Sequence, residues 1–297
     1  MSLAGAALVA AESILALTPI AIKQTPLDPV SAIWSRVLSS TALGYALARS
    51  GAVKDEAAGA IALGYTNLLH IASSYEAFRN LPAGQAMSLL YTYPLWNLLS
   101  VSYFNHETIT TREYWLIGAA TVGSVLLNMD PGIAAPAASA LGKAVRPGWG
   151  LFMGLIMALT ESGMHTILKH LNWQDPAKSV WLVNASSSVW LGGLLFLEEF
   201  MSNKRHDPLR ETGSWTDAIM LTMFHSVTLF SGYWLRFYAV PRLSTVSYSI
   251  LSYAGLLASY VFGLWFLKEA PGWMSLIGAA IIVASGLALQ LTGTKDK

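Results

Sequence analysis

Four long stretches of this chain, 84–105, 179–197, 243–267 and 270–294, contain no Asp, Glu, Lys or Arg from end to end. A hydrocarbon layer about 30 Å thick takes roughly 20 mostly apolar helical residues to cross, so each stretch is long enough to span one. In that solvent every backbone N–H and C=O needs a partner within the protein, which leaves helices or closed barrels. No period-2 alternation recurs in segments of barrel-strand length, so the expectation is helical. Six further segments fit the same length, giving ten: about 3–22, 30–48, 57–77, 84–104, 114–129, 148–168, 179–197, 217–237, 243–267 and 272–292.

Composition agrees. Charged residues are 12% of the chain and mean hydropathy is +0.48, whereas a soluble domain is about 25% charged. A formal net charge of +1 offers no electrostatic footprint for nucleic acid. The absence of cysteine excludes disulfides, thiolate metal sites and cysteine nucleophiles. The N-terminal apolar run lacks a basic n-region and carries Glu12, so it reads as a retained first span rather than a secretory signal. Lys and Arg divide evenly between alternate loops, so charge does not set the orientation.

The chain also repeats itself. LIGAA occurs at 116–120 and again at 276–280. Asp28-Pro29 opens the second segment and Asp175-Pro176 the seventh. Trp34 matches Trp181, Ser39-Ser40 matches Ser186-Ser187, YEAFRNLP (75–82) matches WLRFYAVP (234–241), and Tyr93 matches Tyr253. A unit with five spans, repeated head to tail, enters the bilayer the second time upside down. Two inverted halves enclosing a midplane site is a transporter architecture. The expected fold is therefore an all-α integral membrane protein of ten transmembrane helices in two inverted five-helix repeats. The first repeat is 1–129, the Ala/Pro/Gly-rich stretch 130–147 is the linker, and 148–297 is the second repeat.

These residues resemble a known family. A first span ending in Lys23, followed by Pro29 and Arg36, is similar to the opening of EamA-type members of the drug/metabolite transporter superfamily. So are Pro94 in the fourth span, Glu107 after it, and Gly118 in the fifth, echoed by Glu269 and Gly278. Ala254 stands where a second Pro94 would fall, and Val183 where a second Arg36 would. The resemblance implies both termini in the cytoplasm and a cavity lined mainly by spans 1, 3, 4, 6, 8 and 9. It also implies that spans 5 and 10 stand apart, near the contact of a homodimer.

Ionisable groups inside a span cost about 2.5–3.5 kcal/mol each on insertion scales, so each asks for a reason. Glu12 and Glu161 lie near the middles of the first and sixth spans, each followed by Ser. They are the candidate substrate-binding or proton-exchanging acids, with helix packing as the plain alternative. His165 and Lys169 follow Glu161 at successive intervals of four, on one helix face, so a Glu161–His165 pair is a candidate proton relay or polar cavity lining, with a histidine satisfied by a backbone carbonyl as the plain alternative. Two such groups do not make a metal site, and no metal or other cofactor is expected. Arg36 and Arg236 are candidate anion contacts; Arg36 neutralising Glu12 or Glu76 is the plain alternative. Arg79 and Lys23 are expected to reach for the interface, and Glu107 and Glu269 to favour helix starts. Tyr91, Tyr93 and Trp96, with Tyr248, Tyr253 and Tyr260, are available to floor a cavity, although membrane-interface belts use the same residue types.

No GxSxG, Walker loop or HExxH occurs, so no enzyme is expected. The function read here is a secondary carrier of a small polar metabolite, an amino acid or related amphiphile, working by alternating access, with proton coupling through the buried acids as one form. An organic-phosphate or nucleotide-sugar exchanger is the alternative, and a non-transporting scaffold or receptor the second alternative. The expected partners are a small-molecule solute, the lipid bilayer and a second copy of the chain, with no nucleic acid.

Overall fold

A computed structural model describes residues 2–48, 57–81, 83–104, 108–128, 146–202, 214–267 and 272–291. All ten apolar segments are helical, and no strand occurs among the described residues. In chain order the helices are α1 (Leu3–Leu15), α2 (Thr18–Gln24), α3 (Pro29–Leu47), α4 (Ala57–Asn80), α5 (Ala83–Leu90), α6 (Tyr93–Phe104) and α7 (Thr111–Asn128). They continue as α8 (Pro147–Leu171), α9 (Pro176–Ser202), α10 (Trp215–Phe224), α11 (Phe230–Ala239), α12 (Thr245–Leu251), α13 (Tyr253–Phe262) and α14 (Trp273–Leu291). A π-helical turn, His225–Leu229, joins α10 to α11, and another, Gly263–Leu267, follows α13. Glu107, Glu269 and residues 130–145 of the expected linker lie outside the described residues.

Local chemistry sets the helix starts. At both Asp-Pro repeats the carboxylate caps a helix whose first residue is proline, where a missing N–H costs nothing. Asp28 Oδ1 accepts from the Val30 and Ser31 amides at 2.9 and 3.1 Å. Asp175 Oδ1 accepts from Ala177 and Lys178 at 3.0 and 3.2 Å. α8 ends on Asn172, whose φ of 50° is left-handed, a conformation asparagine tolerates at a helix end.

Three of the apolar segments are broken. Pro19 has no N–H for the Leu15 carbonyl and Pro94 none for Leu90, and the chain turns at Ala16-Leu17 and at Tyr91-Thr92. The third break, at Ser252, has no proline. There the Ser252 hydroxyl donates to the Ser249 carbonyl at 2.9 Å, a back-bond that bends helices. The last two breaks each fall immediately before the matched tyrosines, Tyr93 and Tyr253.

Five described stretches are long and apolar enough to cross a membrane: Leu3–Ile22, Pro147–Leu171, Pro176–Leu197, Trp215–Arg242 and Thr245–Phe266. Leu38, Leu99, Val189, Leu194, Val227 and Leu276 are exposed on the outside, as lipid-facing side chains are. The main buried core runs through both halves of the chain, joining Leu8, Ile71, Met157, Val183, Phe237 and Tyr253.

Helix directions follow from contacts. The Arg79 guanidinium at the end of α4 donates to the Leu27 carbonyl at 2.6 Å, and the Arg146 amide at the start of α8 donates to Asn80 Oδ1 at 3.0 Å. The end of α2, the end of α4 and the start of α8 therefore share one face of the molecule, called here the Asp28 face. α3 and α9 cross antiparallel: Tyr45 packs edge-on against Trp181 at 5.3 Å, while Trp34 lies at the other end, by Gly192.

The two helices that carry LIGAA, α7 and α14, pack on each other. The close approach is at Gly123, where an added Cβ would sit 2.8 Å from the Gly278 carbonyl and 3.0 Å from Ile282, whereas Gly118 faces open space. Gly123→Ala is expected to cost about 1 kcal/mol of stability through overpacking, and Gly118→Ala to cost nothing. Thermal melting of the two variants in detergent checks this; equal melting temperatures would remove the packing role of Gly123.

Candidate functional site

Five helices deliver charged or aromatic side chains to one place. α1 brings Glu12 and α8 brings Glu161, both buried. α11 reaches between them with Arg236. Arg236 Nε and one terminal nitrogen donate to Glu12 Oε1 at 2.8 and 2.7 Å, and the other terminal nitrogen meets Glu161 Oε1 at 2.5 Å. One cation thus holds two carboxylates from different helices, in a region where an uncompensated charge costs several kcal/mol.

A second layer surrounds this triad. His70 on α4 places Nε2 3.4 Å from Glu161 Oε2, and its Nδ1 lies 3.1 Å from the Met157 carbonyl. Arg36 on α3 donates to the Tyr233 hydroxyl at 2.7 Å, with its guanidinium 5.2 Å from that ring. Arg236 lies 5.7 Å from the same ring, so Tyr233 neighbours both arginines.

These groups line a pocket of about 510 Å³ of empty space, its mouth included. Its apolar wall is Leu15, Phe78, Met87, Leu90 and Leu229, and the break between α1 and α2 lines it through Ala16, Thr18 and Pro19. Irregular backbone within a membrane is tolerated where it borders such a cavity. At 1.5 Å per residue, Arg36 lies about 10 Å below the Asp28 face and Glu161 about 20 Å below it. The pocket thus runs from that face toward the middle of the molecule.

Of the residues singled out from sequence, Glu12, Glu161, Arg36, Arg236 and Tyr91 meet at this pocket. Tyr91 stacks on Tyr253 at 5.8 Å and lies 5.9 Å from Tyr93, and the Tyr253 hydroxyl pairs with Thr121 at 2.8 Å. Tyr93, Tyr248 and Tyr253 are buried behind the lining rather than part of it. Trp96 is 38% exposed and does not line the pocket.

Two pairings differ from expectation. The histidine beside Glu161 is His70, not His165: His165 packs against Tyr248 with ring centroids 4.3 Å apart and planes tilted by 34°, and neither of its ring nitrogens has a hydrogen-bond partner among the described residues. Arg36 pairs with no carboxylate among the described residues; Glu12 is taken by Arg236, and Glu76 accepts from the Trp149 indole at 2.7 Å. Lys169 donates to the Leu243 carbonyl. Sequence reasoning missed His70, Ser74 and Tyr233. The repeat contained a signal: the register matching 75–82 with 234–241 also matches His70 with Leu229 and Ser74 with Tyr233, and all four line the pocket. No group of three or more His, Cys, Asp or Glu among the described residues is arranged to hold a metal ion.

Residues 148–290 match the model of the EamA-like transporter family. No curated protein matches the chain. A crystal structure of a protein 17% identical in sequence superposes with a TM-score of 0.71, covering 98% of this chain and 96% of its own. That likeness carries the fold alone. The second half of the chain is thus similar to the EamA-like transporter family, and with apolar helices of membrane length the protein is a multi-pass integral membrane protein.

Proposed function

We propose that the protein is a secondary carrier of a small polar metabolite, an amino acid or related amphiphile, moved by alternating access and coupled to protons. The observation that carries this reading is the buried pocket in which Glu12 and Glu161 hold Arg236. A scaffold has no need of an amphiphilic chamber reaching toward the middle of the molecule. A phosphate exchanger needs several free cations, and Arg36 is the one pocket cation among the described residues without a carboxylate partner.

The architecture proposed is two inverted five-helix halves, 1–129 and 148–297, joined by 130–147, with ten spans and both termini in the cytoplasm. Spans matched by the repeat pack directly on one another, α3 on α9 and α7 on α14, as expected of halves related by an axis between them. On this orientation the pocket faces away from the cytoplasm. A homodimer contact near α7 and α14 belongs to the same proposal.

Proton coupling rests on His70. A carbonyl only accepts, so Nδ1 carries the hydrogen toward Met157, and Nε2 of the neutral ring then offers a lone pair to Glu161 Oε2. Two acceptors facing each other at 3.4 Å repel unless a proton lies between them, on either partner. The Glu161–His70 pair is therefore the proposed proton carrier. In proteoliposomes, a pH gradient is expected to drive uptake of a labelled amino acid by the wild type. Glu161→Gln is expected to lower that gradient-driven uptake by about tenfold or more while exchange without a gradient continues. Wild-type gradient-driven uptake by Glu161→Gln would remove the acid from the mechanism.

A further inference from the structure

We infer that Arg36 is the residue that selects the solute, by binding a carboxylate, and that Arg236 is a structural counter-ion that does not; this rests on the carrier reading above. The two arginines line the same pocket and differ in what they already hold. All three nitrogens of Arg236 are engaged by Glu12 and Glu161 at 2.5–2.8 Å. Arg36 is equally buried, yet one bond to the Tyr233 hydroxyl is its hydrogen bond to a side chain among the described residues. A guanidinium has five N–H donors in a planar fork whose edge matches a carboxylate through two parallel bonds. Burying that cation without an anion is costly, and a bound carboxylate offsets the cost.

Charge and shape narrow the ligand class. Once the proton has left the Glu161–His70 pair, Glu12, Glu161, Arg36 and Arg236 sum to zero among the charged residues of the pocket. A zwitterion preserves that balance, whereas a phosphate dianion would sit above two carboxylates with one free guanidinium to hold it. The lining also includes the apolar side chains Leu15, Phe78, Met87, Leu90 and Leu229. The ligand class is an amino acid with an apolar side chain, its carboxylate on Arg36 and its side chain against that apolar lining.

The test uses the purified full-length protein in detergent, with calorimetric binding of L-leucine, L-methionine and L-phenylalanine, their amides, the matching carboxylic acids without the amine, and glycerol 3-phosphate. At least one free amino acid is expected to bind, with its amide about tenfold weaker or worse. Arg36→Gln is expected to abolish that binding, and Arg36→Lys, which keeps the charge but loses the fork, to weaken it by about tenfold. Gly193→Ala, on α9 outside the pocket and with open space around its Cβ position, is expected to keep the binding, which shows that a substitution by itself is not enough to lose it. If the amide binds as well as the acid, if Arg36→Gln binds as the wild type does, or if glycerol 3-phosphate is the probe that binds, the inference is overturned. If none of the amino acids binds, it is overturned as well. Gradient-driven uptake of some other solute would then show that the carrier reading outlives it, and a protein that transports nothing would remove both.

Discussion

Arg236→Met lowers the stability of the folded protein by about 3–5 kcal/mol, the cost of removing one partner from a buried charge cluster. Methionine fills much of the arginine's volume, so the loss is electrostatic. Glu12 and Glu161 then face each other in the core without the cation that both of them contact at 2.8 Å or less. The measurement is the midpoint of unfolding in detergent, with the triple variant Arg236→Met, Glu12→Gln, Glu161→Gln beside it. Neutralising both acids removes the unpaired charges, and the triple variant is expected to recover most of the lost stability, as buried ion clusters often do when replaced whole. A single variant that melts with the wild type would mean that the triad is not a structural clamp. A triple variant no more stable than the single one would mean that packing, and not charge, was lost.

The parts of this site that sequence reveals are those written along one helix. An apolar segment shows that Glu12, Glu161, Arg36 and Arg236 sit where charge is expensive, and the Asp-Pro pairs show where α3 and α9 begin. Pro94 marks a break that the structure places at Tyr91-Thr92. The break at Ser252 carries no such mark, because it depends on a serine hydroxyl turned onto its own helix. Partner choice is also hidden. Spacing of four puts Glu161 and His165 on one face of α8, but a face says nothing about what packs against it. α4 supplies His70 to Glu161, and α12 supplies Tyr248 to His165. Arg36 and Tyr233 meet across 197 positions of chain, which only the packing of α3 on α11 brings together. The five-residue π-turn at His225–Leu229 resets the register of α11 just before Tyr233 and Arg236, and nothing in the local sequence announces it.

Gly44→Val is expected to destabilise the protein by about 3 kcal/mol, at the upper end of what overpacking usually costs. Gly44 lies where α3 crosses α9. An added Cβ there falls 2.8 Å from the Trp181 backbone nitrogen and 3.0 Å from both the Ala177 carbonyl oxygen and the Trp181 Cα. All three are main-chain atoms, so no side-chain rotation makes room, and the two helices must move apart. Small residues at such crossings are how membrane helices bring their backbones together, since lipid supplies no hydrophobic force to compensate a lost contact. Separation here also tilts the helix that carries Arg36, so amino-acid binding is expected to weaken together with the fall in melting temperature. Gly193→Ala is the control, because Gly193 on α9 has open space around its Cβ position and alanine is the better helix former by about 1 kcal/mol. Gly193→Ala should melt at or above the wild-type temperature. If Gly44→Val matches it, α3 and α9 do not meet at Gly44, and the direct packing of the matched spans that supports the inverted halves loses one of its two contacts.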